Sequence, residues 1–189
     1  AIGMLATLGY VEAPVIRRPR VAILATGDEV QALGEAPEAG RLFDSNSYGT
    51  AAAVRRWGAE AILLGIARDN MDDLRTKLRS GLEADLLITS AGVSAGAFDM
   101  VKDALSELGG IDFWAVRMRL PGNPVSALVA LVEFGRPAIA KMRGTPPTPL
   151  PTVRAVLDDA VVNTDGRRVY ARVSLRREAD GLRARLAGP

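Results

Sequence analysis

The hydrophobic and polar positions of the chain change period at regular intervals. Arg20–Thr26 (RVAILAT) is a continuous apolar run rich in branched side chains and closed by Gly27-Asp28-Glu29, which predicts a buried strand followed by a polar loop. From Asp44-Ser45-Asn46-Ser47, residues that cap helices well, the chain runs through Ala51-Ala52-Ala53-Val54 to Trp57 and stops at Gly58, predicting a helix. The same order then recurs. Residues 61–66 (AILLGI) predict a strand, Arg68-Asp69-Asn70 a loop, and residues 71–83, with Leu74, Leu78 and Leu82 at helical spacing, a helix. In a third unit residues 86–89 (LLIT) are the strand, residues 90–96 (SAGVSAG) a small-residue loop and residues 99–108 a helix ended by Gly109-Gly110. Three strand-helix units in succession imply an α/β fold on a parallel sheet.

Residues 112–118 (DFWAVRM) predict a fourth strand, and residues 124–142 a long apolar helix bent at Gly135 and Pro137. Four prolines among the seven residues 145–151 (TPPTPLP) predict a stiff extended linker. Beyond it the period falls to two. Residues 169–175 alternate, and Asp165-Gly166 and Asp180-Gly181 supply hairpin turns, so a small antiparallel β module is expected, short for an independent core and truncated at its end. The expected organisation is a leading segment over residues 1–19, an α/β domain over 20–144, the linker over 145–151 and the β domain over 152–189. The first ten residues carry neither a charged leader nor an initiator methionine, and the chain reads as an internal fragment.

Composition narrows the chemistry. The 189 residues contain no cysteine and no histidine, which excludes from them thiolate or imidazole zinc sites, disulfides, cysteine nucleophiles and His-assisted serine triads. A metal held by this chain needs oxygen ligands, which points to a hard ion such as magnesium bound together with substrate phosphates. The formal net charge is only +2 with both signs interspersed, and the 5% aromatic residues do not alternate with basic ones, so no nucleic-acid surface is expected. No apolar run approaches the roughly 20 residues of a membrane span. No targeting signal is visible, and the expected location is the cytoplasm.

An open parallel sheet binds its ligand at the carboxyl ends of the strands. There the sequence places Thr26-Gly27-Asp28-Glu29, Arg68-Asp69-Asn70, residues 90–96 with Asp99, and Leu120-Pro121-Gly122-Asn123-Pro124-Val125-Ser126. The small-residue loop could bring backbone N–H groups to a phosphate or be only a tight strand-to-helix turn; spacing leaves both open. Asp28, Glu29, Asp69 and Asp99 could gather around magnesium, or serve as turn residues and caps, a role that suits Glu29 least. Asp44-Ser45-Asn46-Ser47 reads first as a cap, and the Gly122-Asn123 turn as structural or as an anion site. Trp57, Trp114 and the leucine stripes are assigned to the core, and Arg167, Arg168, Arg176 and Arg177 to a solvated strand face.

Taken in order, Ala25-Thr26-Gly27-Asp28-Glu29, Asp44-Ser45-Asn46-Ser47, Gly65-Ile66-Ala67-Arg68-Asp69, residues 90–96 with Asp99, and residues 120–126 resemble the molybdopterin molybdenumtransferases, the molybdenum-insertion enzymes of molybdenum cofactor synthesis. The resemblance covers nearly the whole chain, since the linker and β module are similar to the family's C-terminal domain and residues 2–14 to the end of the segment before its pterin-binding domain. It implies a three-layer parallel-sheet molybdopterin-binding domain followed by a small all-β domain. It also implies an enzyme that inserts molybdate into adenylylated molybdopterin and releases AMP in a magnesium-dependent step. By resemblance Glu29, Asp69 and Asp99 fall on catalytic positions associated with magnesium. Thr26, Gly27, Asp28, Ser45, Asn46, Ser90, Gly92, Ser94, Gly96, Arg119, Pro121, Gly122, Asn123, Pro124 and Ser126 fall along the substrate. The implied partners are adenylylated molybdopterin, molybdate, a second copy of the full-length protein in a homodimer, and the molybdopterin adenylyltransferase.

The chain departs from the family's pattern twice. A lysine-containing Pro-Gly-Lys-Pro segment and a further strand, expected between Arg119 and Leu120, are not in this sequence, through omission of a flexible loop or through deletion; their loss would remove cations suited to the anionic substrate or molybdate and leave Arg119 at that edge. The N-terminal domains that complete the family's active site across a homodimer are also absent. Two alternatives stand beside the main reading: the related molybdopterin adenylyltransferase, and a non-catalytic pterin-binding or scaffolding module.

Overall fold

The computed structural model describes residues 1–91, 95–110, 124–162 and 170–187, of Ala91 and residues 95–99 the backbone alone. It divides into two compact units, Ala1–Pro147 and Thr148–Pro189. In the first unit the elements run α1 (Ile2–Thr7), β1 (Arg20–Thr26), β2 (Val30–Gln31), β3 (Leu42–Phe43), α2 (Ser45–Arg56), β4 (Glu60–Ala67), α3 (Met71–Gly81), β5 (Leu86–Ala91), α4 (Ala95–Leu108), α5 (Pro124–Ala130), a π-helical turn (Leu131–Gly135) and α6 (Arg136–Met142). β4, β1 and β5 form a parallel sheet in that order.

β1 occupies the middle because its apolar run can be buried on both faces. Val21 and Ile23 cluster with Ala51 and Val54 of α2 and Ile139 of α6, while Leu24 clusters with Leu74 and Leu78 of α3 and Val101 and Ala104 of α4. Successive strand side chains point to opposite faces, so one strand supplies both clusters. Burying each Ile or Leu contributes about 1.5–3 kcal/mol. The helix-sheet-helix layering bears out the three-layer expectation. No helix among the described residues is long and apolar enough to cross a membrane.

Several boundaries differ from the sequence reading. α3 ends at Gly81, and Leu82 is 51% exposed rather than part of the buried stripe. A Cβ on Gly81 would lie 2.6 Å from Leu87 Cδ1, so glycine permits the helix end to approach the sheet and also weakens helix continuation. β5 runs to Ala91, paired to Thr26, and α4 starts at Ala95, so Ser90 belongs to the strand and Gly96 to the helix, which holds Asp99 as expected. Backbone pairing with β1 extends the strand through residues whose own propensity is low. The helix expected over residues 124–142 is interrupted by the π turn; Pro137 lacks an N–H and its ring crowds the preceding turn, and the widened ladder takes up the misfit. Trp57 is half-buried and packs against the first cluster. The expected strand over residues 112–118, with Trp114, lies outside the described residues.

The second unit holds β6 (Val156–Leu157), β7 (Val173–Glu178) and β8 (Gly181–Leu186) in the order β6-β8-β7. β7 and β8 form the expected hairpin, with Glu178 opposite Gly181 at φ +138, but the alternating strand begins at Val173. The sheet is mixed rather than antiparallel: β6 skips β7 and pairs with the far strand of the hairpin, which makes it parallel to β8. Arg176 and Arg177 are exposed, as expected of a solvated face; Arg167 and Arg168 lie outside the described residues.

Candidate functional site

Because β1, β4 and β5 are parallel and Thr26 is in register with both Ala67 and Ala91, the loops after the three strands leave from one sheet edge. Thr26 is buried and its Oγ1 donates to the Ser90 carbonyl at 3.5 Å. Gly27 donates its N–H to the Ala67 carbonyl at 3.1 Å and takes φ +124, a conformation open mainly to glycine. The Glu29 side chain folds back over it, so that a Cβ on Gly27 would come within 2.8 Å of the carboxylate carbon. Glu29 Oε1 is buried with no hydrogen-bond partner among the described residues. Asp28 Oδ1 accepts the Asp69 N–H at 3.3 Å and so joins the loops after β1 and β4.

A second set of contacts leads from Glu29 to the start of α2. The Glu29 carbonyl accepts the Leu42 N–H at 2.7 Å and the Gln31 carbonyl that of Asp44 at 3.0 Å. The buried Gln31 side chain closes the intervening loop, Nε2 donating to the Ala36 carbonyl and Oε1 accepting from the Glu38 N–H, each at 3.1 Å. Asp44 Oδ1 then accepts the Ser47 N–H at 3.0 Å, so capping explains Asp44, while Ser45 stands exposed beside it and Asn46 half-buried. The apolar pattern gave no sign of Gln31; a glutamine between two expected elements, with glycines after it, was the only signal.

The loop after β4 is held from α3. Asp73 Oδ2 accepts the Arg68 N–H at 2.8 Å, and Lys77 Nζ donates to the Ile66 carbonyl at 2.6 Å and to Asp73 Oδ2 at 3.1 Å. The Arg68 N–H, and with it Lys77, holds the Asp73 carboxyl below its ordinary pKa against the opposing effect of burial. Arg68 Nη1 donates to the Val30 carbonyl at 3.3 Å, a further tie back to the Glu29 segment.

Beside this edge lies a cavity of about 220 Å³, lined by Asp44, Ser47 and Tyr48 of the α2 start, Leu63, Gly65 and Ile66 of β4, Arg68, Ala32 and Glu35. Among the described residues, none of the side chains expected from sequence to touch substrate lines it. The structure thus brings together Thr26, Gly27, Asp28, Glu29, Asp69 and Ser90. Gly96 and Asp99 lie in the opening turns of α4, and Pro124 and Ser126 in α5. Gly92, Ser94, Arg119, Pro121, Gly122 and Asn123 lie outside the described residues.

A magnesium ion asks for one or two protein carboxylates, substrate phosphates and water rather than a full protein cage. The oxygen-only chemistry of the edge and the orphaned Glu29 Oε1 fit that requirement. No group of three metal-binding side chains is gathered among the described residues, so a complete protein cage is not present there.

A family model described as "Probable molybdopterin binding domain" matches residues 22–141. The chain is 36% identical to molybdopterin molybdenumtransferase 2 of Mycobacterium tuberculosis over 202 residues, covering 94% of this chain and 50% of that protein. It is 36% identical to the molybdopterin molybdenumtransferase of a Nostoc species over 88% of this chain and 43% of the relative. The chain therefore spans about half the length of these curated relatives. The fold is similar to that of the molybdopterin biosynthesis moea protein from Pyrococcus horikosii, with a TM-score of 0.74 and 21% identity over 99% of this chain and 49% of that one. The resemblance drawn from the five motifs is borne out by these matches.

Proposed function

Because the chain belongs to the molybdopterin-binding-domain family, we propose that it is the pterin-binding and C-terminal part of an enzyme that inserts molybdate into adenylylated molybdopterin and releases AMP. The observation that carries this reading is the edge at which three parallel strands end, where Glu29 keeps a buried oxygen with no partner among the described residues, next to the joined Asp28 and Asp69 loops. Carboxylates in such a place serve an anionic substrate only with a cation between them. Glu29, Asp69 and Asp99 would hold magnesium with the substrate phosphates, and the ion would supply neutralisation of charge on the departing AMP.

The chain's own residues do the rest. Thr26 and Gly27 hold the end of β1 so that the Glu29 carboxylate stays turned inward over the edge. The Asp28 carboxylate positions the Asp69 backbone, and the exposed Ser45 and the small residues after β5 offer hydroxyl and N–H donors to phosphate or pterin oxygens. Residues 20–144 form the substrate-binding domain in this reading and residues 152–189 part of the following β domain, joined by the linker over 145–151. The homodimer, the adenylyltransferase as supplier of substrate and the cytoplasmic location rest on the family resemblance.

The test is titration of the natural full-length protein with adenylylated molybdopterin, with and without magnesium, followed by molybdate while AMP is measured. AMP release that needs both ions, and that falls at least ~100-fold in Glu29→Gln, is expected. Binding without any molybdate-triggered AMP release would favour a pterin-binding module, and ATP-dependent adenylylation of molybdopterin would favour the adenylyltransferase.

A further inference from the structure

Resting on the reading of Asp69 as a functional carboxylate, we propose that Asp73 and Lys77 of α3 are positioning residues that set where the Arg68-Asp69 backbone lies. In a regular capping box the side chain at the third helical position returns to the N–H of the capping residue itself. Asn70 does cap α3, its Oδ1 accepting the Asp73 N–H at 2.8 Å. The Asn70 N–H, however, donates to the Arg68 carbonyl at 2.7 Å, and the Asp73 carboxylate reaches two residues further back, to the Arg68 N–H at 2.8 Å. The box has been shifted out of the helix and onto the loop.

Lys77 completes it from one turn further along. Its ammonium donates to the Ile66 carbonyl at 2.6 Å and to the Asp73 carboxylate at 3.1 Å. One ion pair therefore grips an acceptor before Ala67 and a donor after it. Between these grips the Ala67 carbonyl takes the Gly27 N–H at 3.1 Å, and just beyond them the Asp69 N–H meets Asp28 Oδ1 at 3.3 Å. The base is firm, since Leu74 and Leu78 of the same helix are fully buried. A displacement of α3's polar face is thereby transmitted to the relative placement of the Glu29 and Asp69 loops. Nearby Arg75 provides a contrast: its guanidinium pairs with Glu107 of α4 at 2.7 Å, away from the loop.

The test compares Asp73→Ala, Asp73→Asn, Arg75→Ala and Asp69→Asn in the natural full-length protein, measuring molybdate-dependent AMP release alongside amide exchange at Arg68. Asp73→Ala is expected to lower kcat at least ~10-fold with KM little changed, and to speed exchange at the Arg68 N–H. Asp73→Asn, whose amide oxygen still accepts that N–H, recovers most of the loss, and Arg75→Ala leaves both readouts at the wild-type value. Wild-type kcat in Asp73→Ala alongside an inactive Asp69→Asn overturns the positioning role and spares the reading of Asp69. Equal losses in Asp73→Ala and Arg75→Ala overturn it too, by reducing the effect to helix stability. Full activity in Asp69→Asn sinks the reading of Asp69 and the positioning role together. Should Asp73→Ala fail to fold, Lys77→Met carries the same expectation through loss of the Ile66 contact.

Discussion

β1 and β7 are strands of seven and six residues, and they are made in opposite ways. Six of the seven β1 residues are buried, packed between two apolar clusters, whereas all six of β7 are exposed. The hairpin containing β7 is held by its ladder and by Arg183, which reaches Asp158 at 2.8 Å and Asp180 at 3.5 Å. Exposed ion pairs of that kind contribute little, because water competes for both partners. A hydrogen-bonded ladder is enough to make a strand; burial on both faces is needed to make a fixed base from which loops can present carboxylates. The candidate chemistry accordingly leaves from the end of β1 and its neighbours.

The contrast is tested most strongly by truncating one side chain in each strand. Ile23→Ala removes a fully buried side chain from β1 and is expected to cost about 2–5 kcal/mol, read from denaturant unfolding through Trp57, which packs against the same cluster. Leu175→Ala in β7 is expected to stay within about 0.5 kcal/mol, read from amide exchange across the β7–β8 ladder. A comparable cost at both positions would erase the distinction.

A smaller effect falls on the helix that the buried sheet supports. Asp44→Ala removes the cap of α2 and is expected to cost about 1 kcal/mol, with Asp44→Ser recovering much of it. If thermal unfolding shows no loss, the Asp44 carboxylate has a role other than capping.

The smallest effect concerns the segment that leads into β1. Asp85, just before β5, accepts from Arg17 Nη1 at 2.6 Å and from the Arg20 N–H at 2.7 Å. The Arg17 guanidinium, and after it the Arg20 N–H, hold the Asp85 carboxyl down to about 2 from an ordinary 3.8. A carboxyl lowered in the folded state stabilises it above the unfolded pKa, so this contribution is complete above about pH 4 and is lost as pH falls towards 2. Carboxyl NMR titration of Asp85 should show the low midpoint, and Arg17→Ala should move it upwards.

The parts of the fold legible in sequence were those with a local cause. The unbroken apolar run of Arg20–Thr26, the cap Asp44 and the spacing of Leu74 and Leu78 each act within one turn or one strand. Less legible were boundaries that depend on a neighbour. β5 continues to Ala91 because β1 offers it a partner, and α3 stops at Gly81 where the sheet is close. At the site, residue types and motif order pointed to Thr26, Glu29, Asp69 and Ser90, but no pattern announced that Gln31 closes a loop or that Asp73 reaches Arg68.

The sequence by itself determined the succession of strand and helix in the first unit, the oxygen-based chemistry of its edge and the family to which its motifs belong, since apolar period, capping and composition are properties of short segments. Only the tertiary structure decided that Glu29 turns back over Gly27, that Asp28 meets the Asp69 N–H, and that β6 lies parallel to β8. Those outcomes follow from the demand that backbone groups left over in loops and at strand ends find partners, and which segment supplies the partner is fixed by how the chain packs.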